Sequence, residues 1–121
     1  MASPDRQRRE AAGRHAELLC AWLLRLKGYR VLARRFKAPV GEIDIIARRG
    51  AVVAFIEVKA RPTDALAAES LTPRQRRRIA HAALAWMQKR PELGRCDQRF
   101  DVMLVTPWKV PRHIIDAWRE S

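Results

Sequence analysis

The chain has 121 residues, 25 Lys plus Arg against 13 Asp plus Glu, and a formal net charge of +12. That length fits one domain, 1–121, around one core and excludes a separate substrate domain, while the charge favours a polyanionic partner such as nucleic acid. The five glycines form no phosphate-cradling loop and Gly-x-Ser-x-Gly is absent, which excludes P-loop nucleotide hydrolysis and a serine-hydrolase elbow.

Residues 1–9, with Arg6, Arg8 and Arg9, read as a flexible basic arm. From about Asp5 to Lys27 the pattern is helical, with Ala12, Ala16, Leu19, Leu23 and Leu26 at helical spacing, Trp22 at a core position, and Gly28 as the stop. Residues 29–37 fit a strand with a basic flank. Pro39 and Gly41 break the chain before a second strand, 41–48, and Arg49-Gly50 reads as the hairpin turn into a third, 51–60. Residues 61–71 read as a loop. Thr72 is then a fitting N-cap and Pro73 a fitting first residue for a helix reaching about Arg90, where Pro91 ends it. The buried stripe of that helix is expected at Ile79, Ala82, Ala83, Trp86 and Met87. Residues 99–106 form another strand pattern, and 112–120 an extended piece with a terminal helical turn.

Three further features bear on environment. Cys20 and Cys96 have neither metal-ligand spacing nor a disulfide framework, which points to a reducing compartment. No apolar run nears the roughly 20 residues of a membrane span, and the N-terminus lacks the apolar stretch of a secretory signal. A cytoplasmic protein with no membrane partner is expected. His15, His81 and His113 are scattered and read as surface or interface residues, without a zinc-site pattern.

The charge distribution singles out one region. Residues 42–60 hold three acids among Ile, Val, Ala and Phe, whereas the flanking segments are basic. Ionised carboxylates in such a setting are costly unless paired or holding a metal. Glu57 and Lys59 share a strand face, their Cα atoms roughly 6.5 to 7 Å apart. A two-residue turn at Arg49-Gly50 would pair Arg48 with Ala51 and set Asp44 opposite Phe55 and diagonal to Glu57; an odd loop would separate the two acids. Glu17, beside Gly13, Cys20, Ala21 and Leu24 on its helix, is placed to reach toward them if that helix packs on the sheet. Three such oxygens with water suit Mg2+, with Mn2+ as substitute, and a lysine beside them suits phosphodiester hydrolysis, as a point charge that also positions the attacking water. Glu42 is either a partner facing Glu57 or a cap at the strand entry. Asp101 reads as the partner of an arginine inside the fold.

The spacing of Asp44 and Glu57-Val58-Lys59 resembles the PD-(D/E)xK motif of restriction-endonuclease-like nucleases, and the helical acid Glu17 resembles that of archaeal Holliday-junction resolvases. More closely, residues 41–47, 55–61 and 99–102 resemble the YraN family of small bacterial proteins, over roughly residues 10–118. The resemblance implies an α/β restriction-endonuclease-like core, helix, three strands, helix, strand, with a mixed central sheet flanked by helices. It implies Asp44, Glu57, Lys59 and Glu17 as the catalytic set, with Asp44, Glu57 and Glu17 on the metal. It implies a DNA endonuclease for branched or structured DNA, leaving a 5′-phosphate. The chain departs from the pattern at Ile43, where the motif has proline, and at Gln75, where the family tends to show lysine.

Binding to the nucleic-acid backbone, DNA rather than RNA, is assigned to Arg61, Arg74, Gln75, Arg76 and Arg78. Cations in the first turn of a helix oppose its dipole, and a phosphate on the free N–H groups there relieves the conflict. Arg34, Arg35 and Lys37 are candidates for the same groove, and Trp108, in a Pro-flanked loop, for stacking on a base or for packing. The alternative is a non-catalytic nucleic-acid-binding protein on a nuclease fold. Junction resolution would need two active sites, hence a homodimer.

Overall fold

The computed structural model describes residues 4–63 and 71–119, with side chains from Gly13 onward. The arginines assigned to an N-terminal arm lie outside the described side chains. Helix α1 spans Pro4–Leu26 and is followed by strands β1 (Arg30–Ala38), β2 (Gly41–Arg49) and β3 (Val52–Ala60). Helix α2 (Pro73–Gln88), a 3-10 turn (Pro91–Leu93), β4 (Asp97–Val105) and β5 (Arg112–Trp118) complete the order. The strands form one five-stranded sheet in the order β1-β2-β3-β4-β5. It is mixed: β3 and β4 are parallel, joined across α2, and the other neighbours are antiparallel.

The termini follow from local chemistry. Gly28 sits at φ 89, Gly28 N–H donates to Arg25 O and Tyr29 N–H to Leu24 O, closing α1 in a Schellman motif. Thr72 caps α2 through its hydroxyl while the Gln75 side chain accepts from the Thr72 N–H, a reciprocal capping box. No helix among the described residues is long and apolar enough to cross a membrane.

The helices cover opposite faces of the sheet. Ile79, Ala82, Ala83, Trp86 and Met87 of α2 are buried as the spacing predicts, against Ile43, Ile46, Val53 and Phe55. The α1 stripe differs from expectation. Its buried residues are Ala16, Glu17, Cys20, Ala21 and Leu24, packed toward Ile45, Ala47, Ala54 and Ile56, while Leu19, Trp22 and Leu26 are exposed. The helix is apolar on two faces, and the face with small side chains lies closer to the sheet; the bulkier stripe is the one that sequence periodicity favours.

Other expectations are corrected by tertiary contacts. The His113 side chain is buried, Nδ1 accepting from Lys27 Nζ at 2.6 Å, which leaves Nε2 to donate to Asp101 at 2.8 Å. Asp101 does pair with an arginine, both oxygens accepting from Arg99 at 2.8 Å, and it also accepts from Asp116 N–H. Burial acts to raise its pKa, but the bonds from His113, Arg99 and the Asp116 backbone outweigh burial and hold it below the usual carboxylate value. The extended piece after Pro111 is strand through Trp118, and no helical turn follows among the described residues.

Candidate active site

The hairpin between β2 and β3 decides whether the acidic residues meet. Gly50 and Ala51 are its two turn residues, Gly50 at φ 59, and Arg49 pairs with Val52. This corrects the Arg49-Gly50 turn: a positive φ is inexpensive at glycine and costly at an arginine, and placing Gly50 first in the loop moves the pairing by two residues. The loop stays even, and the register Ile45↔Ile56 carries Asp44 opposite Glu57, not opposite Phe55.

At that point the strands part. Ile43 and Ile46 both join the core beneath α2, whereas Ile45 joins the core beneath α1, so alternation breaks at Asp44. Asp44 Oδ2 instead accepts from Val58 N–H of β3 at 2.8 Å, directing its carboxylate into the fork of the sheet. There it lies close enough to Glu57 for each carboxylate to modulate the ionisation of the other. Lys59 Nζ lies 3.4 Å from Glu57 Oε1, and both side chains are largely buried.

The electrostatics of the pair are strained in a definite direction. Burial, then the charge of Asp44, pushes the Glu57 pKa up to about 8, against the lowering effect of Lys59. Asp44 is raised as well, first by burial and then by Glu17, although the Val58 N–H favours its charged form. One lysine thus faces two carboxylates that together hold a proton near neutrality. A divalent cation would displace that proton, so the donor set fits a hard cation that takes oxygen ligands.

Recesses open on both sides of the fork. On the α1 side Glu17, Arg35, Asp44, Gly13, Arg14 and Val58 line a cavity of about 250 Å³. Glu17 Oε2 accepts from Arg35 Nε at 2.8 Å, and Oε1 is buried without a hydrogen-bond partner among the described residues. Arg35 reaches it from a left-handed backbone at φ 53, a contact that no spacing in the sequence signals. Glu17 thus borders the same recess as Asp44 with one carboxylate oxygen committed to Arg35. Among the described residues no three acids, cysteines or histidines converge as a metal cluster. On the α2 side Glu57, Glu42, Gln75 and Arg78 line a cavity of about 330 Å³. Glu42 is exposed and lies 3.9 Å from Lys37, its neighbour across β1.

The residues assigned to the nucleic-acid backbone divide. Arg74, Arg76 and Arg78 are exposed on the first turns of α2, which carry no acid, and Arg78 donates to Val40 O at 3.3 Å. Gln75 is part of the capping box and borders the Glu57 recess. Arg61 is exposed just beyond Lys59 and donates to Ala60 O. Cys20 borders Glu17, its thiol pushed up to about 12 by burial and then by Asp44 and Glu17, so it is an inert packing residue and not a soft metal ligand.

Residues 16–105 match the model of a family described as uncharacterised protein family UPF0102. The chain is 53% identical over 124 residues to a UPF0102 protein of Paramagnetospirillum magneticum, covering 98% of this chain and 96% of that protein. A UPF0102 protein of Parvibaculum lavamentivorans is 53% identical over 88% of the chain and 80% of its own length. One from a Bradyrhizobium strain is 48% identical over 99% of the chain and 85% of its length.

Proposed function

The chain belongs to the uncharacterised protein family UPF0102, and from the cluster at its strand fork we propose that it is a Mg2+-dependent DNA endonuclease on a restriction-endonuclease-like core. What carries this reading is the Asp44–Glu57 pair, two half-buried acids at the point where β2 and β3 diverge, each held above its ordinary pKa by burial and by a neighbouring carboxylate, with Lys59 3.4 Å from Glu57. A purely structural ion pair would match one acid with one base. Two raised carboxylates in contact are poorly suited to stabilising a fold and well suited to a cation.

Asp44 and Glu57 would hold the metal, with Glu17 Oε1 as the third candidate oxygen. When bound, the cation supplies Lewis acidity for water activation and offsets charge on the phosphate. The chain's own residues do the rest. Val58 N–H fixes the Asp44 carboxylate, so that its orientation does not depend on the ligand. Lys59, held against Glu57 in a buried setting, presents a positive charge to the scissile phosphate and can orient the attacking water. Arg74, Arg76 and Arg78 at the start of α2 supply a positive approach beside the Glu57 recess. Branched or structured DNA is the proposed substrate class.

The test is a nuclease assay with Mg2+ or Mn2+ on duplex, single-stranded and four-way-junction DNA. Glu57→Ala and Lys59→Ala should each lower the rate on the order of a hundredfold or more. Calorimetry separates catalysis from mere binding: Mn2+ uptake is expected in the wild type and in Lys59→Ala, and is expected to be lost in Asp44→Ala. Cleavage that survives both substitutions at Glu57 and Lys59 would sink the reading.

A further inference from the structure

The outer stripe of α1 is apolar and uncovered. Leu19, Trp22 and Leu26 face away from the sheet, Trp22 58% and Leu26 82% exposed. Across from them the β4–β5 loop presents Trp108, fully exposed, and Val110, 76% exposed. Leu19, Val105, Thr106 and Pro107 border two adjoining recesses, so the surface is one continuous groove. One end lies at Ala60 and Arg61, immediately after Lys59; the other lies between Trp22 and Trp108.

Two observations narrow the occupant. Trp108 is held at φ 64, a left-handed conformation that a bulky side chain adopts only at a cost. Among the described residues no ring or guanidinium packs on its indole, so the fold gains no ring contact in return. The second is charge. Among the described residues the ionisable groups lining the groove are His15, Arg61 and Lys109, with no acid, and Arg25 lies over the Trp22 ring at 5.5 Å. A second copy docked groove to groove would meet these cations with like charge and with no carboxylate from the described lining residues to pair them. A polymer with flat apolar faces on an anionic backbone satisfies both features.

We propose that this groove seats an unpaired strand of DNA, its bases stacked on Trp108 and Trp22 and its phosphates neutralised by Lys109, Arg25 and Arg61, leading into the strand fork. The inference rests on the nuclease reading only for its direction, from the groove toward Lys59. It deepens that reading by making the substrate one with a single-stranded segment beside the cleaved bond. Aromatic platforms in a basic groove bind single strands with little sequence preference.

The experiment is fluorescence anisotropy without metal, with a labelled oligothymidylate of about 12 nucleotides and a blunt duplex as control. Trp108→Ala and Trp22→Ala, both at exposed positions, should each weaken oligothymidylate binding about tenfold. Trp108→Phe should restore most of the loss, and duplex affinity should be unchanged in all three. Oligothymidylate binding in the double alanine variant equal to wild type overturns the proposal. So does light scattering that shows a wild-type dimer made monomeric by the double substitution with strand binding intact, since the groove is then an interface between copies. Binding of the wild type to anionic vesicles but not to the oligonucleotide overturns it as well. A wild type that never cleaves, yet binds the strand in a Trp-dependent way, refutes the nuclease reading and leaves the groove standing.

Discussion

Glu57 shows how one side chain reports on the whole site. Its carboxyl titrates at about 8 in the folded chain against 4.5 as its ordinary value. Between those values the native state keeps a proton that the unfolded chain has released. Stability from this group is therefore complete below about pH 4.5 and falls as pH rises through about 8, where Glu57 ionises beside Asp44. The contribution is on the order of a few kcal/mol. Glu57→Gln keeps the shape and offers an N–H donor toward Asp44 without titrating. Urea midpoints at about pH 5 and about pH 9 should differ more in the wild type than in Glu57→Gln, the difference between the two proteins isolating this residue. A ligand cation has the opposite effect. At the higher pH, Mn2+ should raise the melting temperature of the wild type and not that of Asp44→Ala, because binding to the native state alone adds stability.

At the scale of elements, Gly41 sets how closely α2 approaches the sheet. A Cβ there would run into the backbone carbonyl of Arg78, which has no side-chain rotamer to move aside. Gly41→Ala should cost about 2 kcal/mol, read from the shift in urea midpoint, and should loosen the α2 recess beside Glu57. Toward α1, Asp101 ties β4 to β5 through His113 and the Asp116 N–H and pairs with Arg99 of its own strand. Asp101→Asn leaves Arg99 without its counter-charge and should cost about 3 kcal/mol by the same measurement. These two cases also mark what a sequence makes legible. The stripe of α2 was readable because arginines fill its other face, leaving one apolar solution at helical spacing. That of α1 was not, because Leu19, Trp22 and Leu26 match the period as well as Cys20, Ala21 and Leu24, and only packing distance to the sheet separates them. Asp44, Glu57 and Lys59 stood out as charges inside apolar runs. The Arg35–Glu17 and Asp101–His113 contacts join residues 18 and 12 apart, across elements whose relative placement no local pattern specifies.

For the molecule as a whole, the net charge of +12 and its uneven placement make affinity for nucleic acid a question of ion release. Each phosphate neutralised on a duplex contributes about −0.9 to the slope of log K against log salt, and on a single strand about −0.7. The exposed Arg74, Arg76 and Arg78 follow Thr72 at the start of α2, where no acid balances them and the helix dipole adds to their field. A proposed duplex-binding role for this segment and a proposed strand-binding role for the groove by Trp108 then have separable signatures. Replacing Arg74, Arg76 and Arg78 together with Gln should make the duplex slope shallower by roughly 2 to 3, measured as anisotropy Kd over a series of salt concentrations. The tryptophan substitutions should shift strand affinity at every salt concentration and leave its slope nearly unchanged, since stacking releases no counterions. A triple arginine variant with an unaltered duplex slope would mean that these cations are only a solvated helix face, and that the duplex is held elsewhere on the basic surface.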